Sequence, residues 1–194
     1  MKKNFVLAIA VALFAMAISA SAQKAPADFS GTWNLDTAKG SLGPQGASIK
    51  SQTLTIKQEG NSIKLSTKTE RNPPPVDAPA GGGAGGGGGR PGGGGFGGGG
   101  GGDQSFTLDG KEMSMDMPAG PNGATPPMKM TGKWDGSKVV LNTVTTRTGQ
   151  DGTPSTTTRK STYDLGAGGK SLTVTTDSES PRGKNSTTSV YAKG

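Results

Sequence analysis

The sequence predicts an all-β chain of about ten short strands, arranged as an antiparallel barrel or sandwich. Apolar residues alternate with Thr, Ser and Lys at a period of two on both sides of a central glycine tract. Tight-turn dipeptides separate the alternating runs, and no stretch carries the apolar stripe of an amphipathic helix.

The chain starts with Lys2 and Lys3, continues through a wholly apolar run from Phe5 to Ile18, and reaches Ala20-Ser21-Ala22. A basic start, an apolar middle and small residues at the end are the parts of a secretory signal peptide. Residues 1–22 are expected to be removed, leaving Gln23 first in an exported protein, periplasmic or extracellular. The apolar run is shorter than the roughly 20 residues of a spanning helix, so no membrane insertion is expected after cleavage.

Residues 23–194 read as a single domain. Its first strand surrounds Trp33. Leu54 and Ile56 alternate with Thr53, Thr55 and Lys57, and Ile63 and Leu65 with Lys64 and Ser66. Glu59-Gly60-Asn61 joins the two runs as a hairpin. Phe106 and Leu108 lead through Asp109-Gly110 into Met113, Met115 and Met117, which predicts a second hairpin on a favoured Asp-Gly turn. Met128, Met130 and Trp134 turn at Asp135-Gly136 into a strand from Val139 to Thr146, and three more strands read at 156–165, 171–176 and 186–193.

A Pro/Gly-rich insertion at 72–103 interrupts this pattern. Residues 81–102 hold 18 glycines in 22 positions, so ordering them would cost maximal backbone entropy with almost no side chains to offset it. A disordered loop is expected there. Its many G-x-G-x-x-G matches carry no nucleotide-binding meaning, because no strand leads directly in and no helix follows.

Charge and composition narrow the function. Removing Lys2 and Lys3 with the leader leaves 19 of the 21 basic residues against 14 acidic ones, spread evenly along the chain. No basic patch with interleaved aromatics marks a nucleic-acid surface, so no nucleic-acid partner is expected. The chain has neither histidine nor cysteine, which removes the commonest general base, the thiolate nucleophile and nearly all zinc sites. Asp109, Glu112 and Asp116 lie close together, but Asp109 reads as a turn residue and the others as outward positions, so no catalytic residues, metal site or cofactor are assigned. The larger apolar residues are few for the chain length, which suits an interior partly lined by Thr and Ser or a lumen that is not filled. Fourteen threonines from Thr143 to Thr188 read as strand formers on a solvated face.

Every methionine after the leader falls at Met113, Met115, Met117, Met128 or Met130. At spacing two on adjacent strands, each set shares one face. They read as core or cavity liners, with clustered thioethers for Cu(I) as the alternative.

Phe29-Ser30-Gly31-Thr32-Trp33 on the first strand, Lys133-Trp134-Asp135-Gly136 at a late hairpin and Val190-Tyr191-Ala192-Lys193 at the end resemble the calycins, the lipocalins and fatty-acid-binding proteins. The chain looks most similar to small exported bacterial proteins with this layout. The resemblance implies a lipocalin-like, up-and-down antiparallel barrel of 8 to 10 short strands. It implies that Trp33 plugs the closed end, that Gly31 permits close backbone approach, and that Trp134 is structural. The Arg-x-Tyr that holds a ligand carboxylate in fatty-acid-binding proteins is replaced here by Ser189-Val190-Tyr191, and the helical lid has no counterpart in the Gly- and Pro-broken segment 36–48. The expected function is binding of a small apolar or amphipathic ligand, with Phe106, Met113, Met115, Met117, Met128, Met130 and Tyr191 as candidate liners. An envelope interaction protein that uses the Gly-rich loop is the other class.

Overall fold

The structure, a computed structural model, describes residues 27–44, 46–73, 103–117, 125–149 and 152–194. The leader and the glycine tract of 81–102 lie outside the described residues.

Ten strands are present among the described residues: β1 Gly31–Ser41, β2 Ile49–Glu59, β3 Ser62–Arg71, β4 Gln104–Thr107, β5 Asp109–Met115, β6 Met128–Asp135, β7 Lys138–Thr148, β8 Pro154–Leu165, β9 Ser171–Ser180 and β10 Gly183–Lys193. Each ladder is antiparallel and each strand pairs with its chain neighbour, except between β4 and β5. Pairing of β1 with β10 closes the sheet from the other side, so the strands form a nearly closed up-and-down barrel whose edges, β4 and β5, meet at one seam. The only helical elements among the described residues are two short 3₁₀ turns, Gly46–Ser48 and Ala167–Gly169. Among the described residues no helical lid stands between β1 and β2.

The sequence pattern sets the inside and the outside. Residues two apart share a face, so Leu54 with Ile56, Ile63 with Leu65, and Leu172 with Val174 point inward and are buried, while Lys57, Lys64, Lys129, Lys133 and Lys160 between them are exposed. That is the inverse of a lipid-facing barrel, which turns its apolar residues out. Tight turns close one end. Gly60 and Gly136 take φ of +55° and +62° between β2 and β3 and between β6 and β7, a region that costs glycine little.

The predicted second hairpin is not formed. β4 pairs with β3, through Ile63 opposite Phe106, and β5 pairs with β6, so the two runs join across the seam without a ladder of their own. Asp109-Gly110 instead makes a bulge: three steps from Asp109 to Glu112 on β5 oppose two from Lys133 to Thr131 on β6. Gly110, at φ +78°, supplies the positive φ such a bulge uses. The same Asp-Gly chemistry serves turns and bulges, and local sequence does not distinguish them.

The closed end is a packed floor. Trp33 and Phe29 are fully buried, and the Trp33 indole Nε1 donates to the Phe29 carbonyl at 3.0 Å. Trp134 packs tilted on Phe29 with ring centroids 6.0 Å apart. Gln58 ties down the segment that leads into β1: its Oε1 accepts from the Phe29 amide at 3.1 Å and its Nε2 donates to the Ala27 carbonyl at 3.2 Å. Gly31 acts differently from expectation. It takes φ +138°, and a Cβ there would meet Cε of the Lys193 side chain at 3.2 Å and no backbone atom. Its absent side chain makes room for Lys193 Nζ to lie 5.3 Å above the Trp33 ring, a cation–π contact.

Candidate functional site

Between floor and mouth the inward side chains leave a cavity of about 400 Å³. Its chemistry is graded along the barrel axis, and β7 and β8 show why. Along β7 the inward positions run Val139, Leu141, Thr143, Thr145, Arg147, and their register partners on β8 are Tyr163, Ser161, Arg159, Thr157 and Ser155. Period two keeps all ten on one face. Moving toward the mouth, the rows change from apolar to polar, with Arg159 in the middle row opposite Thr143 and Arg147 in the last row opposite Ser155. Phe106, Leu54 and Val174 extend the apolar end, while Thr67, Gln104 and Thr176 extend the polar one.

Among the described residues, Arg147 and Arg159 are the only charged side chains that line this cavity, and no Asp or Glu does. Arg159 is half-buried in the wall; Arg147 is exposed at the rim. The cation missing from the last strand is thus present in the lumen, supplied by β7 and β8. The threonines read as a solvated face divide by parity: Thr143, Thr145, Thr157 and Thr176 line the cavity, and their alternate neighbours face out.

Two tyrosines face the apolar end. The Tyr191 hydroxyl donates to Gln52 Oε1 at 2.8 Å, and Gln52 Nε2 donates in turn to Thr69 Oγ1 at 2.8 Å, so a polar chain runs up the wall toward the mouth. Burial pushes the Tyr191 phenol up to about 12, because the phenolate would be poorly solvated. Tyr163 is shifted up further by burial and by the neighbouring Tyr191, with Arg159 opposing. Both are neutral hydrogen-bonding groups near neutral pH.

The sequence-predicted liners divide. Phe106, Met128 and Tyr191 line the cavity. Met130 is buried in the core below it, and Met113, Met115 and Met117 pack half-buried against that core instead of lining the lumen. The paired ladder does place Met113 opposite Met130 and Met115 opposite Met128. Asp109, Glu112 and Asp116 are exposed; the Asp109 carboxylate accepts from Thr107 Oγ1 and the Lys111 amide, and Glu112 pairs with Lys129 at 3.1 Å. Arg147, Arg159, Gln52 and the lumenal threonines were missed. The signal for them was parity: each falls in phase with a buried residue of its own strand, Arg147 with Leu141, Arg159 with Tyr163 and Gln52 with Leu54.

The chain is similar in fold to the zebrafish ileal bile acid-binding protein crystallised with cholic acid, at 13% identity and a TM-score of 0.46, over 86% of this chain and 98% of that one. In sequence, no family model and no curated protein matches it. Among the described residues the strands form a ten-strand antiparallel meander with a sealed floor and a lumen open above it.

Proposed function

We propose that this chain is an exported binding barrel for a small amphipathic anion. The ligand's apolar body lies against Phe106, Met128, Leu141 and Val174, and its acidic end is directed up to Arg159 and Arg147. The observation that carries the reading is the charge of the lumen: among the described residues no acid lines it, and its two arginines stand in a cavity whose lower half is apolar. A cation on a cavity wall is retained at a desolvation cost unless an anion arrives to pair with it. The volume of about 400 Å³ falls within the roughly 300–1,000 Å³ of small-molecule sites. Thr and Ser hydroxyls interleaved with the two arginines suit a ligand that changes polarity along its length.

Native mass spectrometry of protein recovered by mild extraction, followed by titration with a medium-chain carboxylate and the matching alcohol, tests this. A bound anion, or carboxylate binding well above that of the alcohol, supports the reading. A protein always recovered empty that binds neither overturns it. Amino-terminal sequencing of the recovered protein tests export, which requires Gln23 first.

A further inference from the structure

Lumen binding involves only Met128 of the methionine cluster, and the cluster's paired geometry is more specific than core filling requires. Met113 stands opposite Met130 and Met115 opposite Met128 in the β5–β6 ladder. All four fall on the inward face, two by two. Directly opposite residues on such a face have Cβ atoms about 4.5–5.5 Å apart, and each methionine adds three rotatable bonds beyond Cβ. Four thioether sulfurs can therefore converge on one point. Met128 and Met130 are 1% and 4% exposed, forming a desolvated base, while Met113 and Met115 are half-buried on β5, the strand whose outer edge carries no ladder. The cluster thus has two half-buried members on the seam strand β5, and Met128 faces the lumen.

We propose that Met113, Met115, Met128 and Met130 form a binding site for a soft monovalent cation, Cu(I) or Ag(I). The donor set selects the ion. Thioethers are neutral and polarizable, and they favour soft metals over magnesium, calcium or zinc. No group of His, Cys, Asp or Glu able to hold a harder ion occurs among the described residues. The charged neighbours do not compete: Glu112 and Lys129 pair with each other on the outward face at 3.1 Å. The ion enters as Cu(I) or Ag(I), with no change of oxidation state.

The test uses the whole purified chain without oxygen. Cu(I) is titrated against a chromophoric Cu(I) chelator, and Ag(I) is followed through ¹³C-labelled methionine methyl resonances. One ion per chain is expected, with the signals of Met113, Met115, Met128 and Met130 shifting together and zinc leaving them unmoved. The Met113→Leu/Met115→Leu variant conserves volume at two half-buried positions and should bind at least about tenfold more weakly, since even outer partners of metal ligands are worth that much. Equal affinity in that variant overturns the site. If the variant does not fold, the wild-type resonances decide alone, and Met128 and Met130 signals that stay put on Ag(I) addition reject it.

Discussion

Gly132 on β6 sits against the backbone of Thr107 on β4, so close that a Cβ at Gly132 would lie 2.5 Å from the Thr107 carbonyl oxygen. The two strands share no ladder. The barrel is closed at this seam by packing, in which Thr107 Oγ1, its proton given to the Asp109 carboxylate, lies 3.5 Å from Met113 Sδ. Leu108 and Leu141 side chains crowd the same glycine, each 3.2 Å from that Cβ position. Gly132→Ala should therefore destabilise the protein by about 1–3 kcal/mol through overpacking, despite alanine's better backbone entropy. Urea unfolding checks it; an unchanged or raised midpoint would mean that the seam gives way freely.

The floor rests on Trp33. Removing the indole altogether, Trp33→Ala, should cost about 3–5 kcal/mol in cavity and lost burial. Trp33→Phe keeps most of the volume but leaves the Phe29 carbonyl without its 3.0 Å donor, so a smaller loss of about 1–3 kcal/mol is expected. Denaturant midpoints at constant slope separate the two. Equal losses would show that the hydrogen bond, and not the packing, holds the floor.

High pH should unfold the barrel through its tyrosines. Tyr191 is raised to about 12 and Tyr163 is also raised, both chiefly by burial. A group whose folded value lies above its unfolded one, near 10 for tyrosine, contributes stability that is complete below about pH 10 and lost as pH climbs through the folded value. Lys138, raised by its hydrogen bond to Asp164, acts with the same sign. Because Tyr163 and Tyr191 are the only tyrosines, tyrosinate absorbance reads them directly. No phenolate should appear near pH 10 while the protein is folded. Both should ionise together with unfolding above that pH, and the Tyr163→Phe/Tyr191→Phe protein should lose less stability there.

Strand number and the inward face were legible because burial on one face of an antiparallel strand imposes a period of two, which Leu54-Ile56 and Ile63-Leu65 display without ambiguity. The sealed floor was expected at Trp33 from the resemblance of Phe29-Ser30-Gly31-Thr32-Trp33 to the calycins. Pairing across the seam was not legible. Asp109-Gly110 suits a turn and a bulge equally, and the choice depends on Ile63, forty-six positions before it, meeting Phe106. The cationic lumen was hidden because Thr143, Thr145, Thr157 and Thr176 are polar on both faces of their strands. Polarity stops reporting direction where a wall lines a wet cavity, and only the phase carried from Leu141 and Tyr163 retains it.

The two lumenal arginines should differ in their effect on ligand affinity. Arg159 is half-buried in the wall opposite Thr143, whereas Arg147 is exposed at the rim. A contact to a ligand carboxylate in the less hydrated position is worth about 1.5–3 kcal/mol, so Arg159→Gln should weaken a medium-chain carboxylate by roughly tenfold to a hundredfold. At the rim, water and salt screen the charge, and Arg147→Gln should cost no more than about 1 kcal/mol and lose that effect at high ionic strength. The matching alcohol keeps the apolar contacts without the charge, so neither substitution should change its affinity. Fluorescence displacement or calorimetry on the two ligands and three proteins separates charge recognition from general disruption: if Arg159→Gln weakens the alcohol as much as the carboxylate, the arginine supports the wall and does not read the ligand.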